Sequence, residues 1–206
     1  MVNLKNQIWE DFVAIREQNP LVLNVSNYVV MNTIANCMLA IGASPIFLVA
    51  PDEASELVEK CDSVVINSGT PDSFWLDIAK KTIRSNVKNK KPLVLDPVGV
   101  GFSKYKTKVV KDIIDQIQPT VIRGNAGEVL ELSGCKGDLV RGVSSLVDAE
   151  KAIDALSEFS HKSDCTLSAS GSIDVIICGD RMVQIGNGSK LASKVSGMGC
   201  VASALT

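Results

Sequence analysis

The chain has 206 residues, 46% hydrophobic and 21% charged, a length and balance suited to one domain with a sizeable core. Its 21 basic and 23 acidic residues leave a formal charge of −2, which makes no general case for nucleic acid or a membrane surface as partner. Two Trp, two Tyr and five Phe supply few platforms for base stacking. No apolar run approaches the ~20 residues of a membrane span. Residues 1–10 carry no signal-peptide core, so the expected compartment is the cytoplasm.

In chain order the pattern alternates amphipathic helices with short apolar strands. Residues 4–17 carry Ile8, Phe12 and Ile15 at helical spacing. Residues 21–25 read as a strand, 32–41 as an apolar helix ended by Gly42, 45–50 as a strand and 52–61 as a helix opened by acidic residues. The run 63–67 (SVVIN) is a continuous apolar strand, followed by a helix over 73–85 and a buried strand over 92–95 that ends at Asp96. Helix 103–117, strand 120–123, helix 126–132 and helix 147–159 come next. Strands over 165–169, 173–178 and 182–185 are closely spaced, the first two joined by a Gly turn. Residues 197–206 are a Gly turn running into a small-residue helix. Lys88, Lys90 and Lys91 with Asn89 read as a solvated turn.

Apolar strands with helices between them imply an α/β fold: a mainly parallel sheet covered on both faces, with an antiparallel edge at the last three strands. In such folds ligands sit beyond the carboxyl ends of the strands. Six cysteines, Cys37, Cys61, Cys135, Cys165, Cys178 and Cys200, show no CxxC or CxxH spacing. They read as mostly buried thiols rather than a zinc site.

The strand ends gather the polar chemistry: residues 24–27 (NVSN), 67–70 (NSGT), 96–99 (DPVG), 123–128 (RGNAGE) and 169–171 (ASG). His161, the one histidine, lies outside them on an expected surface, which disfavours a Ser-His-Asp hydrolase. Asp96 and Glu128 follow strands that are candidate neighbours. Two carboxylates beside an Arg suit Mg²⁺ held partly through water, with Arg123 on phosphate oxygens. The same residues equally suit a turn capped by Asp96 and an Arg123–Glu128 bridge.

Residues 196–200 (SGMGC) precede a short helix. Two glycines let the backbone turn sharply, and a helix start aims free N–H groups at an anion, as a transferring phosphoryl group requires. Cys200 stands at that start, a position that lowers a thiol pKa, whereas phosphates nearby oppose the charged form, so the net direction is open. A plain Gly-rich turn over a buried Cys is the competing account. Neither a Walker GxxxxGK[ST] nor a GxGxxG after a first strand is present, which disfavours P-loop and dinucleotide folds.

In order, VSNYVVMNTIAN (25–36), IGASP (41–45), VVINSGT (64–70), PLVLDPVGVG (92–101), PTVIRGNAGE (119–128), VRGVSS (140–145), SGSIDVI (170–176) and GMGC (197–200) resemble the hydroxyethylthiazole kinases of thiamin salvage. The resemblance runs from about Pro20 to the end. It implies a ribokinase-like fold over 1–206 as a single domain, ATP with Mg²⁺, and 4-methyl-5-(2-hydroxyethyl)thiazole as phosphoryl acceptor. It also implies a homotrimer with active sites at subunit boundaries.

Carried over residue by residue, the resemblance makes Cys200 catalytic. It puts Arg123, Ser170, Asn125 and Gly199 on the nucleotide, Phe47, Gly197, Asn24 and Gly69 on the acceptor, and Asp96 and Glu128 near the metal. Several positions depart from the family pattern. Phe47 replaces a substrate-contacting Met, Ser170 replaces Thr, Met198 replaces the small residue of GTGC, and Ser172 replaces Glu. Ser189 and Lys190 replace a His-Pro pair. The family also continues for several helices beyond the GxGC helix, so the chain reads as shortened at Thr206, and an inactive shortened form is one alternative. Related pyrimidine or pyridoxal kinases, and ATP- or ADP-dependent hydro-lyases of the same superfamily, are others. They carry Asp at the position of Cys200, so Cys200 favours the thiazole.

Overall fold

The computed structural model describes residues 4–134 and 152–206. Among these residues eight strands form one sheet in the order β2-β1-β3-β4-β5-β6-β7-β8. They are β1 (Leu21–Val25), β2 (Ser44–Phe47), β3 (Ser63–Asn67), β4 (Leu93–Asp96), β5 (Val121–Asn125), β6 (Thr166–Ser170), β7 (Asp174–Cys178) and β8 (Arg181–Ile185). All pairings from β2 to β6 are parallel, while β6–β7 and β7–β8 are antiparallel. The helices are α1 (Leu4–Gln18), α2 (Met31–Ile41), α3 (Ala54–Lys60), α4 (Ser73–Asn89), α5 (Lys104–Ile114), α6 (Ala126–Ser133), α7 (Ile153–Ser163) and α8 (Met198–Ala204). No described helix is long and apolar enough to cross a membrane.

The continuous apolar strands follow from burial on both faces. Leu23, Val64, Ile66, Leu93, Leu95 and Ile122 point to one core, shared with Val58 of α3, Trp75 and Ile83 of α4, Val110 of α5, Leu130 of α6 and Leu156 of α7. Val22, Val65 and Val94 point to the other, shared with Ile34 and Met38 of α2 and Val201 and Ala204 of α8. Each such side chain contributes roughly 1.5–3 kcal/mol by leaving water. Alternation therefore appears only where one face is covered less. Burial in β6 and β7 alternates along the strand, and β8 is largely exposed.

Local chemistry sets the helix ends that frame the strand tips. Asn125 and Glu128 form a reciprocal capping box at the start of α6. Asp72 caps α4 by accepting from the Trp75 amide at 2.7 Å, and Ser103 caps α5. Gly42 ends α2 at φ +102°, where an added Cβ meets Arg16 at 2.9 Å.

Several boundaries differ from the sequence reading. The strand expected over 45–50 ends at Phe47, because Pro51 opens a 3₁₀ turn over Pro51–Glu53. The helix expected to 117 ends at Ile114, where the Gln116 and Ile117 amides both turn back to the Ile113 carbonyl. Lys88 and Asn89 belong to the last turn of α4, and Lys90 closes it at φ +54° rather than forming a separate turn. The helix expected over 147–159 runs from Ile153 to Ser163, with His161 and Lys162 in its last turn beside the helix's negative end. Residues 147–151, the 140–145 motif and Cys135 lie outside the described residues. Of the described cysteines only Cys61 and Cys165 are buried; Cys37 and Cys200 are intermediate and Cys178 is exposed. His161 is exposed and lies 3.2 Å from Asp180.

Candidate active site

Because β1, β3, β4 and β5 run parallel, their carboxyl ends open on one side of the sheet. Asn67 and Asp96, the last residues of β3 and β4, are direct register partners. The Asn67 amide donates to Asp96 Oδ2 at 2.6 Å, and both side chains are buried. Asn67 Oδ1 accepts from Asn27 Nδ2 at 2.7 Å and from the Gly69 backbone N–H at 3.1 Å. Asn27 Nδ2 also lies 3.5 Å from Cys200 Sγ on α8. A train of side-chain amides therefore links the cysteine to the carboxylate across four separate segments of the chain.

Glu128 sits beside this train. Its Oε1 accepts from the Gly99 N–H at 2.7 Å and its Oε2 from the Asn125 N–H at 3.0 Å. Gly124 must lack a side chain here, because an added Cβ meets Glu128 Oε2 at 3.0 Å and the Pro97 ring at 3.2 Å. Arg123 Nη1 donates to the Gly199 carbonyl at 2.9 Å and reaches Ser203 Oγ at 3.5 Å, tying β5 to α8. Gly197 precedes α8 at φ +82°, and an added Cβ collides with the Val30 side chain. Only glycine suits both the backbone and the space. At the start of α8 the Met198 N–H donates to the Val195 carbonyl at 3.4 Å and the Val201 N–H to the Gly197 carbonyl at 2.8 Å, so Gly199 and Cys200 between them carry the amides that a helix start leaves for an anion.

Electrostatics in this cleft follow from burial. The Asp96 carboxyl is pushed up to about 7, first by burial and then by the charge of Glu128. Hydrogen bonds from Ser203 and Cys200 and the charge of Arg123 act against that. Burial also raises Glu128, opposed by the Gly99 and Asn125 amides and by the charges of Arg123 and Lys106. The Cys200 thiol is raised rather than lowered: burial and the Asp96 charge outweigh the amides of Asn67 and Asn27. The sequence left this direction open. The field of one short helix loses to desolvation and a carboxylate neighbour.

The remaining sequence candidates take distinct places. Asn125 commits its side-chain oxygen to the Glu128 amide at 2.9 Å. Ser170, paired with Asn125 in the β5–β6 register, donates to the Gly124 carbonyl at 3.2 Å. Phe47 packs in the same apolar cluster as Cys200, Val30 and Met38. Asn24 does not join the mouth. It is fully buried inside β1, donating to the Val22 carbonyl at 3.0 Å while its Oδ1 has no partner. Gly69 lies against Asn27, whose side chain an added Cβ would meet at 2.7 Å.

Asn27, Asn67, Lys106 and Ser203 complete the site without having been assigned roles from sequence. The legible signal was an Asn closing each of two apolar segments, where a strand core has no use for an amide. No group of three or more His, Cys, Asp or Glu side chains able to hold a metal occurs among the described residues. Buried Asp96 and half-buried Glu128 still fit a hydrated divalent cation, whose charge would hold both ionised and which would complete its shell with water and phosphate.

The parallel sheet with its antiparallel edge has a ribokinase-like fold. A ribokinase-like superfamily protein from Enterococcus faecalis superposes with a TM-score of 0.62 at 13% identity, over 90% of this chain and 68% of its own. The chain belongs to the hydroxyethylthiazole kinase family, whose model matches residues 12–206. It is 43% identical over 202 residues to a hydroxyethylthiazole kinase from Leptospira biflexa, covering 98% of this chain and 75% of that one. The hydroxyethylthiazole kinase structure from Pyrococcus horikoshii OT3 superposes with a TM-score of 0.87 at 36% identity, over 97% of this chain and 74% of its own.

Proposed function

We propose that the chain transfers the γ-phosphoryl group of ATP to the hydroxyl of 4-methyl-5-(2-hydroxyethyl)thiazole, forming the thiazole phosphate for thiamin salvage. The observation that carries this reading is the placement of Cys200 Sγ in the first turn of α8, held by Asn27 and adjoining buried Asp96. A hydroxyl seated there meets a sulfur that accepts its hydrogen bond. The first amides of α8 face the charge that develops on the transferring group. Such transfer needs positioning and charge stabilisation more than covalent chemistry, so no phosphocysteine is required.

The nucleotide side is formed by Arg123, Ser170, Asn125 and Gly199, and the acceptor side by Phe47, Gly69 and Gly197, with Asn24 beside Phe47 in the β1–β2 register. Asp96 and Glu128 would hold Mg²⁺, which when bound neutralises the charge of the β- and γ-phosphates. As a cation ligand Asp96 stays ionised, and Cys200 beside it, as a thiolate or as a hydrogen-bond partner, meets the proton that the acceptor hydroxyl gives up. Residues 1–206 act as one kinase domain and assemble as a homotrimer. Exposed Tyr28, Val29, Phe74 and Phe102, all on loops or a helix start beyond the strand tips, support a mouth that a neighbouring subunit covers.

The test is direct. Purified chain, ATP, Mg²⁺ and hydroxyethylthiazole should yield the thiazole phosphate by mass spectrometry, with none in excess chelator. Absence of product while ATP still binds removes the acceptor assignment. A monomer in light scattering that turns over at full rate removes the trimer.

A further inference from the structure

Lys106 lies in the first turn of α5 and is not among the residues placed on substrate, nucleotide or metal. Its ammonium donates to the Gly69 carbonyl at 2.8 Å, in the loop after β3. Its stem covers Gly99, in the loop after β4, so closely that an added Cβ there meets Lys106 Cδ at 2.9 Å. The preceding residue repeats the reach: the Tyr105 hydroxyl donates to the Pro71 carbonyl at 2.6 Å. Two consecutive side chains of one helix turn thus grip two carbonyls of the β3–α4 loop, 34 and 37 residues away in sequence.

The two loops carry opposite sides of the site. The Gly69 amide holds Asn67 Oδ1, which holds Asn27 against Cys200. The Gly99 amide holds Glu128 Oε1 at 2.7 Å. We propose that Lys106 is a positioning residue, a strap that fixes the acceptor-side loop at Gly69 against the metal- and phosphate-side loop at Gly99. A lysine suits this task because its methylenes pack on a glycine while its charged end makes a strong hydrogen bond to a carbonyl. The Ser103 cap sets the direction of the turn by accepting from the Lys106 amide at 3.4 Å. The strap refines the kinase reading and rests on it for the rate it governs, whereas the loop geometry it enforces stands apart from any reaction.

The experiment compares Lys106→Met, Lys106→Arg and wild type in two measurements. Amide hydrogen exchange at Gly69 should quicken at least about tenfold in Lys106→Met and stay within about threefold in Lys106→Arg, whose guanidinium can still reach the carbonyl. In the kinase assay, Lys106→Met should lower kcat at least about tenfold with ATP affinity changed less than threefold, and Lys106→Arg should recover most of the rate. A tenfold loss of ATP affinity with unchanged Gly69 exchange makes Lys106 a phosphate contact and overturns the strap. Unchanged exchange together with unchanged kcat overturns it as well. A wild-type protein that binds ATP yet never phosphorylates the thiazole defeats the kinase reading alone, and the exchange comparison still decides the strap.

Discussion

The parallel half of the sheet and its antiparallel edge are built from similar apolar strands but do different work. In β3 and β4 every residue beyond the first is buried, and the last residue of each is a polar side chain held inside the protein, Asn67 and Asp96. β6, parallel to β5 but antiparallel to β7, alternates in burial as β7 does, and its tip residue Ser170 is half-buried and bonded to a carbonyl. Parallel strands bring all their carboxyl ends to one side, so polar tips accumulate there and desolvate one another. Beyond β6 the direction reverses, so β7 sends its carboxyl end away from the site and adds no polar tip there. Burial of neighbouring polar ends, rather than any single residue type, shifts Asp96 toward neutrality.

The sharpest way to break that contrast is Asp96→Asn. The folded pKa of about 7 lies above the ordinary carboxyl value of 3.8. The folded state therefore holds a proton that the unfolded chain has lost between about pH 4 and 7. Stability contributed at this site falls as pH rises through that window and levels off above it. Asp96→Asn should abolish turnover, by a factor on the order of 10³. It should also be more stable than wild type at pH 8 by on the order of 2–4 kcal/mol, with the gap closing toward pH 4. Urea melts at pH 5 and pH 8 read this; a variant equally destabilised at both would remove the desolvation account.

Cys200 comes next in size. Cys200→Ala should slow turnover about 10²-fold while ATP affinity is preserved, because the amides of α8 that face the phosphate are backbone groups. Cys200→Asp should stay within about tenfold of wild type, since a carboxylate accepts the same proton. Equal inactivity of both variants, with nucleotide binding intact, would leave Cys200 a packing residue.

Arg123→Ala should raise the ATP requirement roughly 10- to 100-fold, reflecting loss of a charge-assisted contact of ~1.5–3 kcal/mol, with the thiazole requirement changed less than about threefold. Equal shifts for both substrates would instead reflect loosening of α8 through the lost Gly199 bond. At β6, where the sheet turns from parallel to antiparallel, Ser170→Ala should change kcat/KM by less than about fivefold, the size of a single neutral hydrogen bond. An effect as large as that of Arg123 would show that the edge takes part in catalysis as fully as the parallel half.

Much of this was legible in the amino-acid order. Runs such as SVVIN and PLVLD are short, apolar and closed by a polar residue, which marks both a strand buried on two faces and its functional end. Glycines at 197 and 199 before Cys200 announced a sharp turn into a helix. The residues of the amide train were harder to read, because Asn27 and Cys200 are 173 positions apart and Asn67 lies 29 from Asp96. Neither an Asn at a strand end nor a Lys in a helix turn states what it faces.

What the sequence by itself determined was the set of local choices: strand or helix by periodicity, their ends by caps and glycines, and the chemical groups available at those ends. Strand order, and with it the meeting of Asn27, Asn67, Asp96 and Cys200, was decided only by the tertiary structure. So was the direction of the Cys200 and Asp96 pKa shifts. Local propensity acts over a few residues along the chain, whereas desolvation and charge act through space, and their balance is set by neighbours that only packing brings together.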